Sequence, residues 1–170
     1  MDAFEAVRTV LAVRAYQSRP IPEPTVRRIL EAAHLTASSR NGQPWHFIAV
    51  QDPAMIKRLG EVASTGPYLA QAPLAVVVAL EESQFAESDA GRAIQSMVLT
   101  AWSEGIGSNW VGWLGMLDGV KPLLGIPEEL QIIGILPFGY PADESLGRGK
   151  KRRRPFGEVV HRERFDQPYE

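Results

Sequence analysis

The sequence predicts an α+β protein, and two observations lead to this class. Helical and strand patterns alternate along the 170 residues, but the connections are short and there are too few βαβ units for a doubly wound parallel sheet. The run Leu74–Leu80 is apolar at every position, which is typical of a central strand buried on both faces. We therefore expect one α+β domain over residues 1–170.

The first predicted helix begins at Asp2, whose side chain can cap the helix N-terminus. Phe4, Val7 and Leu11 follow at helical spacing and fall on one face. This helix is expected to end near Val13, before the proline-rich segment 20–24.

The remaining elements follow from the same criteria. Prolines suited to a first helical position mark helix starts at Pro24 and Pro53, and the helix from Pro24 should run for about 13 residues. Asp89 is placed to cap a long helix that runs through Trp102 and closes at Gly105. Strands are predicted over 45–51, 74–80, 109–113 and 131–138, and a short helix over 118–124.

Composition excludes several kinds of chemistry. The chain has no cysteine, so disulfides, iron–sulfur clusters, thiolate zinc sites and cysteine nucleophiles are absent, and redox chemistry would need a bound cofactor. No apolar stretch approaches the roughly 20 residues that span a bilayer. Asp2 and Glu5 stand where a secretory signal would carry positive charge, so we expect a cytoplasmic protein.

Common catalytic and metal motifs are also missing. The segment 105–110 begins like a dinucleotide fingerprint but ends in Trp110 and follows no clear strand, so it is better interpreted as a helix stop. Neither a Gly-x-Ser-x-Gly elbow nor a phosphate loop occurs. The three histidines are isolated and lack metal-ligand spacing.

The loop 38–45 reads Ser-Ser-Arg-Asn-Gly-Gln-Pro-Trp and lies between a predicted buried helix and a predicted buried strand. Polar groups there are costly unless they bind something. A ligand rich in hydroxyl and carbonyl groups would suit them. A loop that satisfies its own backbone is an equal alternative.

Basic charge is concentrated near one end, because residues 148–170 hold 8 of the 18 basic but only 4 of the 20 acidic side chains. The run 150–154 is open to three interpretations: a solvated tail, a nucleic-acid patch or a clamp for a small phosphate. Nucleic acid ranks lowest, since the rest of the chain is acidic and no aromatic residue interrupts the run.

Several blocks, taken in order, resemble the flavin-dependent nitroreductase family. The most specific is Asn41-Gly42-Gln43-Pro44-Trp45, and the others support it chiefly by their order. The supporting blocks are 13–16, 19–22, 29–33, 105–110, 139–141 and 153–161. The resemblance implies a nitroreductase-like fold with a central, mixed but mostly antiparallel sheet flanked by helices, in an intertwined homodimer. It also implies two equivalent FMN sites at the subunit interface, and hydride transfer from NAD(P)H to a nitroaromatic, quinone or similar acceptor.

The same resemblance implies which residues bind the cofactor. Arg14 matches the basic residue at the pyrimidine edge of the flavin ring, and Thr65 aligns loosely with a second residue at that edge. The partner subunit would supply the loop that contacts the ribityl chain and ring, and the late basic pair would hold the phosphate. The matching residues are Ser38, Ser39 and Asn41 in the loop, Val111 and Gly112 on the flavin N5 side, and Lys151 and Arg153 at the phosphate.

Two aromatic side chains, Trp110 and Trp113, are candidates for the substrate pocket, with buried packing as the alternative for each. No side chain is expected to act as a general acid or base, because the flavin carries the chemistry. No metal is expected. The tail 142–170 is too polar to pack alone and is expected to lie on the partner subunit.

One departure from the family pattern concerns the phosphate. Val10-Leu11-Ala12 stands where the family usually has two basic residues and a serine. Losing one or two charge-assisted contacts, each worth roughly 1.5–3 kcal/mol, would weaken binding by one to several powers of ten. A non-catalytic member that binds or sequesters a flavin or another phosphorylated ligand is therefore the alternative function.

Overall fold

The computed structural model describes residues 1–63, 65–112, 114–143 and 151–169. Helices and strands alternate along this part of the chain, as the sequence pattern predicts. The helices are α1 (Ala3–Thr9), α2 (Glu23–His34), α3 (Pro53–Val62), α4 (Ala86–Ser103) and α5 (Lys121–Leu124). The strands are β1 (Trp45–Val50), β2 (Leu74–Leu80), β3 (Gly107–Ser108) and β4 (Gln131–Gly139). Short 3-10 helices occupy Ser39–Asn41, Pro67–Gln71, Asp118–Val120 and Phe156–Glu158.

The four strands form one sheet in the order β1-β2-β4-β3. Trp45 of β1 lies opposite Leu80 of β2, and Leu74 of β2 lies opposite Phe138 of β4. Every residue of β2 is buried, as expected for a strand with neighbours on both sides and helices on both faces. The predicted α+β class with a mostly antiparallel sheet is confirmed, and each pairing among these four strands is antiparallel.

Two apolar cores cover the two faces of the sheet. Alternate side chains of β2 point to opposite faces, so Val76 and Val78 pack with α2 and α4, whereas Val77 packs with α3 and α5. A third, smaller cluster joins α1 to the C-terminal end of α4. Its members are Ala6, Val13, Tyr16, Ala72 and Trp102.

Helix α1 is shorter than predicted and ends at Thr9 rather than near Val13. Asp2 caps it as expected, accepting a hydrogen bond from the Glu5 N–H at 2.8 Å. The helix ends because Val10 is extended and the Val13 N–H donates to the Ser108 carbonyl at 2.9 Å, which places this segment against β3. Ala6 is the buried residue of the helix.

The strand predicted over 109–113 begins two residues earlier and is split. Gly107 and Ser108 pair with β4, and Val111 then exchanges two backbone hydrogen bonds with Ile135. The same register places Asn109 opposite Pro137, which has no N–H to donate. The proline therefore interrupts the ladder.

Helix α4 starts three residues before the predicted cap. It begins at Ala86, so Asp89 lies inside the first turn, where its carboxylate bonds to the loop after α2 instead of capping the helix. In the tail, the described residues 151–169 hold one 3-10 turn, and Phe156, Phe165 and Tyr169 are exposed.

Candidate functional site

One half of the candidate site lies where α1 runs onto the edge of the sheet. The Tyr16 hydroxyl donates to the Val13 carbonyl at 2.6 Å, while the Val13 N–H is held by Ser108. Burial raises the pKa of Tyr16, so the phenol stays protonated and keeps donating. Arg14 therefore projects its exposed side chain from a backbone fixed on both sides.

The late basic pair lies at the end of the same helix. The Lys151 ammonium donates to the carbonyl of Val7, in the last turn of α1, where helix carbonyls lack helical partners. Partial burial, followed by the charge of nearby Arg153, lowers the pKa of Lys151. Among the described residues, no carboxylate forms a salt bridge with Arg14, Lys151 or Arg153. Lys151 and Arg153 lie close enough for their charges to interact, and with no described carboxylate paired to either they suit an anionic ligand.

The turn after α3 packs against the segment that follows β3. A Cβ built on Gly66 would lie 2.4 Å from Val111 Cγ1, so only glycine allows this approach. Thr65 is exposed next to this contact. Gly112 has φ +80°, and a Cβ there would meet the Leu117 side chain at 2.5 Å. The structure thus brings the residue after Thr65 against Val111, and the roles of Thr65, Val111 and Gly112 at a flavin stay predictions.

Two polar residues at this place were missed by the sequence analysis. The buried Asn109 side chain donates to the Tyr68 hydroxyl and to the Trp110 carbonyl. Tyr68 also packs against the cluster that contains Tyr16, so the two parts described above share one edge of the molecule. The available signal was an asparagine inside a predicted strand, where a polar side chain needs a specific partner.

The loop with Ser38, Ser39 and Asn41 lies elsewhere in the same chain. The Ser39 N–H and hydroxyl both donate to the Asp89 carboxylate, at 3.0–3.1 Å, near the start of α4. At the other end of α4, the Trp102 indole donates to the Thr9 hydroxyl at 2.8 Å. Thirteen residues at 1.5 Å each separate these two anchor points, or about 20 Å along the helix. One chain does not bring Ser38, Ser39 and Asn41 together with Arg14, Lys151 and Arg153.

Trp110 packs on the sheet. Its half-buried indole donates to the Ile133 carbonyl at 3.3 Å and covers Gly134, where a Cβ would lie 2.5 Å from the indole nitrogen. This is the packing role left open for Trp110. Trp113 lies outside the described residues.

The described part of the chain has neither a metal-binding cluster nor a helix that could span a membrane. No group of three or more His, Cys, Asp or Glu side chains is arranged to hold a metal ion there. No helix in those residues combines the length and apolar character needed to cross a bilayer.

Both the sequence and the fold of this chain are similar to those of known proteins. The model of the nitroreductase family matches residues 8–79 and 63–140. A Methanothermobacter thermautotrophicus protein named NADH dehydrogenase/NAD(P)H nitroreductase is 35% identical over 151 residues, which cover 84% of this chain and 79% of that protein. An FMN reductase [NAD(P)H] of Bacillus subtilis is 30% identical, with 91% of this chain and 70% of the relative covered. The fold superimposes with a TM-score of 0.85 on an FMN-dependent nitroreductase from Clostridium difficile, at 23% identity and covering 95% and 99% of the two chains.

Proposed function

The chain belongs to the nitroreductase family and is an NAD(P)H-dependent oxidoreductase, and we propose that two copies of it bind FMN in two equivalent sites at their interface. FMN bound there would supply hydride transfer from NAD(P)H to a small acceptor such as a nitroaromatic or a quinone. In this proposal each chain is a single domain, and the tail 142–170 packs on the partner.

The observation that carries the proposal is the separation of the two halves of the site. The loop with Ser38 and Asn41 is anchored at Asp89, whereas the helix that leads to Arg14 is anchored at Trp102, about 20 Å farther along α4. We infer that one chain cannot bring both parts to one ring system. A two-fold dimer uses the same surface twice, so the loop of one copy can meet the edge of the other, in two equivalent sites.

Exposed apolar side chains support a second copy of the chain. Phe4 and Val7 on α1 are 73% and 50% exposed, although they lie on the face with the helical apolar pattern. Phe156 and Phe165 of the tail are exposed as well. Large apolar side chains left exposed in one chain favour association, because burying them removes apolar area from water.

The donor set fits FMN. Lys151 and Arg153 can pair with the phosphate, whose charge at neutral pH is close to −2. Arg14, fixed through Val13, can stabilise negative charge at the pyrimidine edge of the ring when the ring is reduced. Val10 packs in the apolar cluster that contains Trp102 and contributes no charge. Phosphate binding would therefore depend on Lys151 and Arg153.

A family member that binds a flavin without turnover is the second candidate. It is favoured by the apolar residues Val10, Leu11 and Ala12 at positions where the family pattern is basic. Steady NAD(P)H oxidation that depends on both FMN and an electron acceptor would exclude it.

The shared site can be tested with two variants that damage different halves. Arg14→Ala removes the cation at the edge, and Asn41→Ala removes an amide from the loop. Each alone should bind FMN weakly. When the two chains are co-expressed with different tags, the mixed dimer should regain one intact site, or about one quarter of all sites in an unsorted mixture.

Three results would contradict the proposal. If the wild type binds no FMN, the proposed cofactor is wrong. If mixed dimers bind FMN no better than either parent, both halves of the site lie in one chain. The third contradicting result is a wild type that sediments as a monomer with FMN present.

A further inference from the structure

Helix α4 carries a polar stripe that faces the loop between α2 and β1. Asp89, Arg92 and Ser96 are spaced i, i+3 and i+7, so they share one side of the helix. The Thr36 hydroxyl bonds to the Ser96 hydroxyl at 2.8 Å, at the start of the loop. Three residues later, Ser39 bonds to Asp89. The loop is thus fastened to α4 at two points.

Asp89 is the stronger of the two anchors. It is 1% exposed, and its carboxylate accepts hydrogen bonds from the Ser39 N–H, the Ser39 hydroxyl and the Arg92 guanidinium. Arg92 also reaches the Ser39 hydroxyl at 3.4 Å. A buried carboxylate requires such partners, and the bonds to a charged group are stronger than those between neutral groups.

The loop beyond this anchor has an unusual backbone. Arg40, Asn41 and Gln43 have φ values of 53°, 56° and 49°, in the left-handed region that favours glycine. The Gln43 N–H donates to the Ser38 hydroxyl at 2.9 Å and closes the turn. Such a conformation persists where the surrounding contacts determine it, and here these contacts include the bonds to Asp89.

We propose that Asp89 is a positioning residue of the FMN site, and this inference rests on the proposed function. It holds the loop in the shape that lets Ser38 and Asn41 reach the cofactor in the partner's cleft. Ser39 is the link to Asp89 rather than a direct ligand, because its N–H and its hydroxyl proton are both directed to that carboxylate.

Asp89→Asn tests the inference, since it keeps the size of the side chain but removes the charge and one accepting oxygen. The dissociation constant for FMN should rise about tenfold to a hundredfold, the effect of losing one or two charge-assisted bonds. Turnover at saturating FMN should stay within about twofold, because bound cofactor selects the competent loop. Ser39→Ala keeps the N–H contact and should show a smaller loss of FMN affinity.

Lys121→Met is the matched control. Lys121 is also buried and paired, donating to the Glu128 carbonyl at 2.8 Å, but it lies in α5 on the opposite face of the sheet. This variant should lower the melting temperature without changing the FMN dissociation constant. Hydrogen exchange of the Ser39 amide gives a readout that needs no cofactor. The exchange should be faster in Asp89→Asn than in the wild type, and unchanged in Lys121→Met.

The possible results separate the inference from the function. If the wild type binds FMN and Asp89→Asn binds it equally well, the inference is wrong and the proposed function stands. An equal loss of FMN affinity in Lys121→Met would also refute it, because the effect would be general destabilisation. If Asp89→Asn does not fold, unchanged FMN binding by Ser39→Ala refutes it. Failure of the wild type to bind FMN would refute the proposed function, and the inference with it.

Discussion

Replacing Lys151 by methionine should weaken FMN binding without affecting riboflavin, which lacks the phosphate. The ammonium lies at the end of α1 beside Arg153, and no described carboxylate competes for it. A hydrogen bond from a charged donor contributes about 1.5–3 kcal/mol. Because Lys151 is only half-buried, solvent screening reduces this contribution to about 1–2 kcal/mol. The dissociation constant should therefore rise about 5-fold to 30-fold.

The assay is a titration that follows quenching of flavin fluorescence at pH 7, with FMN and riboflavin in parallel. Arg152→Met is the matched control, because it removes one charge from the same run while its own side chain is exposed. Added salt should reduce the difference in FMN dissociation constant between the wild type and Lys151→Met, since screening weakens exposed charge pairs. The reasoning would be refuted if Arg152→Met lost as much FMN affinity, or if Lys151→Met weakened riboflavin to the same degree.

Three further outcomes are expected. FMN affinity should fall as the pH rises, and the fall should begin below the ordinary lysine pKa of 10.5. The reason is that the pKa of Lys151 is lowered in the free protein, whereas a bound phosphate would raise it. Calorimetric titrations from neutral to alkaline pH should show this loss of affinity in the wild type and not in Lys151→Met. Gly134→Val should lower the free energy of unfolding in urea by about 1–3 kcal/mol, because the new side chain would meet the Trp110 indole. Gly91→Ala should raise it, because Gly91 lies inside α4 with open space around it. Equal stabilities of the two variants would contradict the packing described. Leu11→Arg should tighten FMN binding several-fold by restoring a charge near the phosphate, and an unchanged dissociation constant would place the phosphate elsewhere.

Much of the architecture could be predicted because it depends on local patterns. The apolar run 74–80 identified the central strand, Asp2 caps α1 as predicted, and α3 begins at Pro53 as predicted. Errors arose where a distant residue decided the outcome. Pro137 interrupts the strand that begins at Gly107, because it has no N–H for the ladder. The Asp89 carboxylate accepts hydrogen bonds from Ser39 instead of capping α4.

The candidate site shows the same division. Sequence motifs predicted Arg14, the loop around Asn41 and the late basic pair as site residues, because residue types suited to anions and flavins occur there in a fixed order. The motifs did not indicate that Asn109 supports Tyr68, or that Asp89 holds the loop. Both are contacts between residues far apart in the chain.

The sequence by itself determined the class of fold and the family, and it predicted the chemical character of the site, since all three depend on residue types and their order. The tertiary structure alone decided how far apart the parts of the site lie. The rigid length of α4 keeps the anchor of the loop, at Asp89, about 20 Å from the anchor of α1, at Trp102, because a helix rises by a fixed 1.5 Å per residue. That distance is the physical reason for assigning the site to two chains.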